Sequence, residues 1–292
     1  MSKLSREMTT LAKQAGGSYK TVHDRIRIMD RLCRHLLALN IQVRDIKYLK
    51  ARHIESYVAE RLSECIAVRT LHNEMAALRI VLRQGGREKL VASERLTNKT
   101  LGLGGASRAG TKFAIPDALY QSVLNTARQD DAGLACALQL ARLLGLRSQE
   151  TVQCASSLKT WEKQLELHQQ TLTVVFGTKG GRPRETRIID REAIQRAVKA
   201  ALKVAEARNG RLIDKPDLKT AMNFWRTQTT RLGLTGHYSP HSLRYAWAQD
   251  AICYYLSQGF SRSEARALTS MDLGHGDGRG RYVERVYTRK ED

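Results

Sequence analysis

Pro240-His241-Ser242-Leu243-Arg244-Tyr245-Ala246-Trp247-Ala248 is the stretch on which the reading of this 292-residue chain turns. Proline opens a helix readily, because its missing N–H falls among first-turn donors that have no intrahelical partner anyway. His241 and Arg244 then stand three apart, on one helical face. Alone, such a pair is ordinarily a solvated surface, so its weight comes from its neighbours along the chain. Upstream, an apolar helical run ends at Gly145 and continues as Leu146-Arg147-Ser148-Gln149-Glu150. There Ser148 can cap a helix beginning at Gln149, and Arg147 sits where a phosphate could also meet free backbone N–H groups. Downstream, Leu273-Gly274-His275 follows a short helical pattern, and Tyr282 and Tyr287 stand on a last one.

Two guanidinium groups can bind the non-bridging oxygens of one phosphate, histidines and a lysine can donate or move protons, and a phenol can attack phosphorus. Each piece has an ordinary alternative. Lys179, Arg182 and Arg184 could be solubilising turn residues, His275 a cap or core histidine, and Tyr282 and Tyr287 packing residues beside Val283 and Val286. The order is more telling: arginine, lysine, H-x-x-R, histidine and tyrosine follow one another over about 140 residues.

Charge points the same way. Forty-nine Lys and Arg against 29 Asp and Glu give a net charge of +20 and a pI near 10.1. That balance argues against an enzyme of small metabolites and for a polyanionic partner. Both halves share it, with 21 basic against 10 acidic residues in 1–110 and 28 against 19 in 111–292. No window reaches the roughly 18 apolar residues of a membrane helix, and no secretory signal opens the chain, so a cytoplasmic, nucleoid-associated protein is expected. The five cysteines show no C-x-x-C pair. Neither disulfides nor a metal site is expected, and the chemistry outlined calls for no cofactor.

The periodicity predicts a mainly α chain of two domains. In 19–39, Val22, Ile26, Met29, Cys33 and Leu36 alternate with Lys20, Arg25, Arg27, Arg31 and Arg34, an amphipathic helix whose basic face would meet DNA. Further helices are predicted over 51–63 and from Thr70 to Gly85-Gly86. From about residue 87 the pattern fades among Gly102, Gly104, Gly105 and Gly110, with Lys99, Arg108 and Lys112. This reads as a flexible basic linker closing a domain of 1–108, or as a surface loop within one domain. Residues 109–292 would open a helix at Pro116-Asp117 and add helices near 134–144, 190–208, 217–231, 241–258 and 263–272. They would also form a β-hairpin from 172–176 and 186–189, with Lys179, Arg182 and Arg184 on its basic loop, where Arg182 and Arg184, like Lys112 before it, are expected to contact DNA.

In these motifs the chain resembles the tyrosine recombinases of the phage integrase class. Gly-Leu-Arg-Ser-Gln-Glu is similar to that family's first arginine box, and Pro-His-Ser-Leu-Arg-Tyr to its H-x-L-R box. The resemblance covers essentially the whole length. It implies a helical core-binding domain followed by a catalytic domain with a lysine-bearing hairpin. Arg147, Lys179, His241, Arg244 and His275 would be catalytic, with Glu150 supporting Arg147 or a histidine. It further implies a 3′-phosphotyrosyl intermediate, double-stranded DNA held in a clamp, and a homotetramer on paired sites, with accessory DNA-bending proteins as possible partners. Mobile-element integration is the expected setting. The family's tyrosine usually lies nine residues after the histidine, whereas Tyr282 and Tyr287 lie seven and twelve after His275. Tyr287 is favoured as nucleophile because Glu284-Arg285-Val286-Tyr287-Thr288 resembles the family's final helix, and Tyr282 stays as the alternative. Residues 288–292 leave little chain for docking on a neighbouring protomer. Alternative readings are a type IB topoisomerase, a DNA-binding relative without catalysis, and a two-metal nuclease, for which no tight acidic cluster is evident.

Overall fold

The computed structural model describes residues 2–105, 107 and 109–288. Arg108, counted with the linker, and residues 289–292 lie outside these. Two compact units divide the chain, Met1–Ser107 and Arg108–Asp292.

The first unit is built from α1 (Lys3–Gln14), α2 (Tyr19–Ala38), α3 (Ala51–Ser63), α4 (Val68–Gln84) and the short α5 (Glu88–Val91). The sequence reading had no α1, although Leu4, Met8 and Ala12 recur at helical spacing and are all buried. Ser2 caps it by accepting from the Ser5 amide at 3.1 Å. Met29, Leu32 and Leu36 of α2 meet Ile54 and Tyr57 of α3 and Leu71, Met75 and Leu78 of α4 in one core.

Two expectations change here. Arg25 does not stand on an outer basic face. It is 5 % exposed and donates to the carbonyls of Ala12 (2.8 Å) and Gly16 (3.1 Å), closing the end of α1, whose last carbonyls have no helical acceptor role left. The stretch from 87 to 105 is not a flexible linker either. It folds back through α5 and a 3-10 turn at Glu94–Leu96, burying Leu96, Leu101 and Leu103 in the core of the unit. Arg79 satisfies the Leu96 carbonyl (2.8 Å) and Asn98 Oδ1 (2.7 Å), and His72 bonds the Leu103 carbonyl at 2.6 Å. These leucines lack a regular period, so sequence patterning alone misses them.

The second unit comprises α6 (Asp117–Asp130), α7 (Ala132–Leu144), α8 (Ser148–Gln153), α9 (Leu158–Glu166), β1 (Thr171–Val174), β2 (Arg184–Arg187), α10 (Arg191–Glu206), α11 (Leu218–Arg231), α12 (His241–Ser257), α13 (Arg262–Asp272) and α14 (Gly280–Tyr287). The mainly helical expectation with one small hairpin holds. β1 and β2 pair antiparallel, Thr171 opposite Arg187 and Val174 opposite Arg184, so β2 begins two residues earlier than read from sequence. α7 lies in the middle, against α6, α8, α10 and α12, and is buried on nearly every side, as its apolar composition requires. The first half of α12 is likewise enclosed, with Leu243, Ala246, Trp247 and Ala248 buried. α14 packs Val283, Val286 and Tyr287 onto Tyr245, Trp247, Ala251 and Leu273. Among the described residues no helix is long and apolar enough to cross a membrane.

Candidate active site

The site forms where α7, α12 and α13 end or begin beside one another. Gly145 closes α7 in the left-handed region (φ 57°), and a β-carbon there would lie 2.7 Å from the Trp247 ring, so only glycine fits the turn. Leu146 drops into the core, and Arg147 takes the cap position of α8. Glu150 reaches back to accept from the Arg147 amide (2.8 Å) and from its guanidinium (2.5 Å), and the same guanidinium donates to the Leu273 carbonyl at 2.9 Å.

Arg244 is fully buried and donates to the carbonyls of Gly145 and Leu273, while its Nε faces the Tyr287 hydroxyl at 3.5 Å. The carbonyls left over at the ends of α7 and α13 thus hold the guanidinium groups in place. Burial lowers the Arg244 pKa to about 10, which leaves it charged at neutral pH.

Tyr287 is 2 % exposed and turns inward, with its hydroxyl 2.9 Å from His275 Nε2. Its ring packs on Tyr245 (centroids 4.6 Å), His275 (5.7 Å), Tyr282 (6.3 Å) and His241 (6.4 Å). Tyr282 instead lays its ring against His275 at 4.9 Å. Burial, reinforced by Arg244 and Arg147, pushes His275 down to about 3 and His241 down to about 4. Both imidazoles are therefore neutral, and His275 Nε2 can accept the phenolic hydrogen.

Lys179 and Arg182 are exposed on the β1–β2 loop. Together with Arg147, Arg184, His275 and Asp277 they line a cleft of about 640 Å³. The sequence reading placed Arg184 with the DNA contacts, which the structure corrects. Strand alternation turns it inward, where it donates to both oxygens of Glu150 (2.8 and 3.3 Å), to the Asp272 carbonyl (2.6 Å) and to the Gly145 carbonyl (3.3 Å). Glu150 therefore faces three arginines. Burial alone would raise its pKa, but Arg184, then Arg244 and Arg147, outweigh it and bring it to about 2.

Most of the other residues expected to contact DNA belong to the first unit. Arg27 is exposed on α2, Lys20 and Arg34 pair with Asp24 and Asp30 on the same helix, and Arg31 pairs with the buried Glu74. Lys112 donates to the Gly236 carbonyl at 2.5 Å. Tyr245, which forms one wall against Tyr287, was not singled out from sequence, although it directly follows Arg244 in the same box. Among the described residues no group of three or more His, Cys, Asp or Glu side chains could hold a metal ion.

The chain shares this architecture with known proteins. It aligns in structure with a lambda integrase tetramer bound to a Holliday junction (TM-score 0.62, 17 % identity, covering 99 % of this chain and 78 % of that one). It also aligns with the Tn1549 transposon integrase in complex with transposon right-end DNA (0.66, 12 %, 99 % and 96 %) and with a lambda integrase dimer bound to a COC′ core site (0.64, 16 %, 99 % and 97 %). At these identities the likeness establishes the fold. No curated protein matches the chain in sequence. The family model for phage integrase N-terminal domains matches residues 1–91, and the integrase model matches residues 102–250, more than half the chain. The chain therefore belongs to the phage integrases and is a tyrosine-type site-specific recombinase.

Proposed function

We propose that this recombinase cuts and rejoins duplex DNA through Tyr287, without metal or ATP. The observation that carries the reading is the Tyr287 hydroxyl, 2.9 Å from a neutral His275 Nε2 and 3.5 Å from the Arg244 guanidinium. In the reaction, the phenolic oxygen bonds to phosphorus as its proton passes to His275. The bond to the 5′ oxygen breaks, and Lys179 supplies that oxygen with a proton. Arg147 and Arg244 bind the equatorial oxygens, where negative charge peaks in the pentavalent transition state, and His241 donates to the same phosphate. The product is a 3′-phosphotyrosyl link that retains the energy of the broken phosphodiester. A 5′ hydroxyl from another strand reverses the step on the second duplex.

An imidazole beside a bound phosphate becomes more basic, so DNA itself would raise His275 toward the range useful for proton transfer. The positive excess in both halves of the sequence supports duplex DNA as partner, with each unit contacting phosphates. Strand exchange between two sites requires four strand cleavages and hence four protomers, and lambda integrase binds a Holliday junction as a tetramer. Integration of a mobile element, aided by DNA-bending proteins, is the setting proposed.

A covalent trap tests this. The protein is incubated in EDTA with a randomised pool of nicked duplexes, denatured, and the DNA-linked residue is mapped by mass spectrometry. An adduct on Tyr287 supports the reading and reveals the preferred core site. An adduct on Tyr282 reassigns the nucleophile, and salt-sensitive binding without any adduct, even on paired sites, refutes catalysis.

A further inference from the structure

We propose that Arg184 and Gly177 are positioning residues that fasten the two ends of the Lys179 loop to α8, so that the lysine is held in register with Arg147. This rests on the proposed role of Lys179 as the acid for the leaving oxygen. Between Gly177 and Arg184 the loop's own bonds are local: the buried Thr178 donates its hydroxyl to the Val175 carbonyl at 3.0 Å, and its carbonyl accepts from the Gly181 amide at 3.1 Å. Lys179, Gly180, Gly181, Arg182 and Pro183 are all exposed, and two of its glycines, Gly180 and Gly181, take left-handed angles with open space around them. These bonds stay within the hairpin, so they do not themselves reference the lysine tip to Arg147 within the few tenths of an ångström that proton transfer needs.

Its ends are another matter. At the first, Gly177 (φ 74°) lies flush on the backbone of α8, where a β-carbon would sit 2.4 Å from the Gln149 carbonyl oxygen and 2.7 Å from the Glu150 amide. At the second, the Arg184 guanidinium grips both Glu150 oxygens, at 2.8 and 3.3 Å. Both attachments fall on Gln149 and Glu150, the residues that follow Arg147 by two and three positions. The same carboxylate holds the Arg147 amide and side chain. One short helix thus references the arginine and the lysine loop to a common frame. Arg184 extends that frame to His275. It donates to the Asp272 carbonyl, and its methylenes fill the space beside Gly274, where a β-carbon would approach Cδ to 2.8 Å. Lysine at 184 could make one of these contacts but has no planar fork for the carboxylate.

The test is single-turnover cleavage by the full-length protein of the core site captured in the trapping experiment. That site is built once with an ordinary scissile phosphate and once with a 5′-bridging phosphorothiolate, whose sulfur leaves without a proton. Arg184→Met and Gly177→Ala are each expected to slow the ordinary substrate by roughly 10²-fold, the scale of a displaced general acid, and to recover to within about tenfold of the unaltered protein on the phosphorothiolate. Adding Lys179→Ala to either should cost no more than Lys179→Ala alone. A global loss of folding would slow both substrates alike, and two variants at opposite ends of the loop guard against one failing to fold. If Lys179→Ala is rescued by sulfur while Arg184→Met and Gly177→Ala stay equally slow on both substrates, the coupling is wrong. If Lys179→Ala itself is not rescued, the acid role falls and the coupling with it.

Discussion

Replacing Glu150 by glutamine isolates the charge at the centre of the three arginines while keeping the side chain's shape. The carboxylate is 1 % exposed, 2.5 Å from Arg147, 2.8 Å from Arg184 and 4.0 Å from Arg244. Its pKa of about 2 against an ordinary 4.5 corresponds, at about 1.36 kcal/mol per pH unit, to about 3 kcal/mol of folded-state preference for the charged form. That agrees with the roughly 3–5 kcal/mol lost when one member of a buried ion pair is removed and the rest is left uncompensated. For a unit spanning residues 108–292, each kcal/mol moves the melting midpoint by about 2–4 °C, so Glu150→Gln should lower it by roughly 6–12 °C. Trp161, Trp225 and Trp247 are the chain's three tryptophans and all lie in that unit, so their fluorescence follows it in the full-length protein. The pH dependence carries a sign. Because the folded-state pKa is depressed, the stabilisation is complete above about pH 4.5 and disappears as pH falls through 2, and the variant should lack that acid limb. A loss below about 1 kcal/mol, or an unchanged limb, would refute the account of Glu150 as the counter-charge of the site.

Other expectations are as direct. Arg147→Lys and Arg244→Lys should each cut single-turnover cleavage by at least roughly 10²-fold with DNA affinity changed only a few-fold, and an equal loss of both would assign these arginines to docking instead. NMR titration of the free protein should find His241 and His275 neutral at pH 5. Their depressed values mean that stability falls as pH drops below 6.5, and protonation of either near pH 6.5 would contradict the burial described. Asp272, raised by burial to about 6, behaves oppositely. Its contribution is favourable below pH 3.8 and is lost as pH rises through 6, so Asp272→Asn should flatten that slope in pH-dependent denaturation, and an unaltered slope would count against it. Leu103→Ala should cost the N-terminal unit about 2–5 kcal/mol, read by calorimetry or hydrogen exchange, whereas a true linker residue would cost almost nothing.

Much of the helical frame was legible because it is local. In α2 and α4 the apolar spacing, at α12 the opening Pro240, and at Gly85 and Gly145 the terminating glycines are written within one or two turns of the chain. The residues that gather at the site were legible for a related reason. Arg147, His241, Arg244, His275 and Tyr287 sit in short boxes whose order in the chain is distinctive. Arg25 and Arg184 were misread because an arginine's surroundings are not encoded beside it. One closes the end of α1, and the other is turned inward by the pairing of β2 with β1, a register that starts two residues earlier than β-propensity alone suggests.

By itself the sequence determined most of the longer helices and the hairpin, the strong positive charge and the set of groups able to handle a phosphate, because periodicity, composition and motif order are properties of the chain. Only the tertiary structure decided which groups meet. It set the Tyr287 hydroxyl beside His275 and Arg244 and the Tyr282 ring against His275, folded Leu96, Leu101 and Leu103 into a core, and placed Glu150 among three arginines drawn from α8, β2 and α12. The physical reason is that burial and charge balance depend on contacts between residues tens of positions apart, and those contacts exist only once helix ends and strand register are packed together.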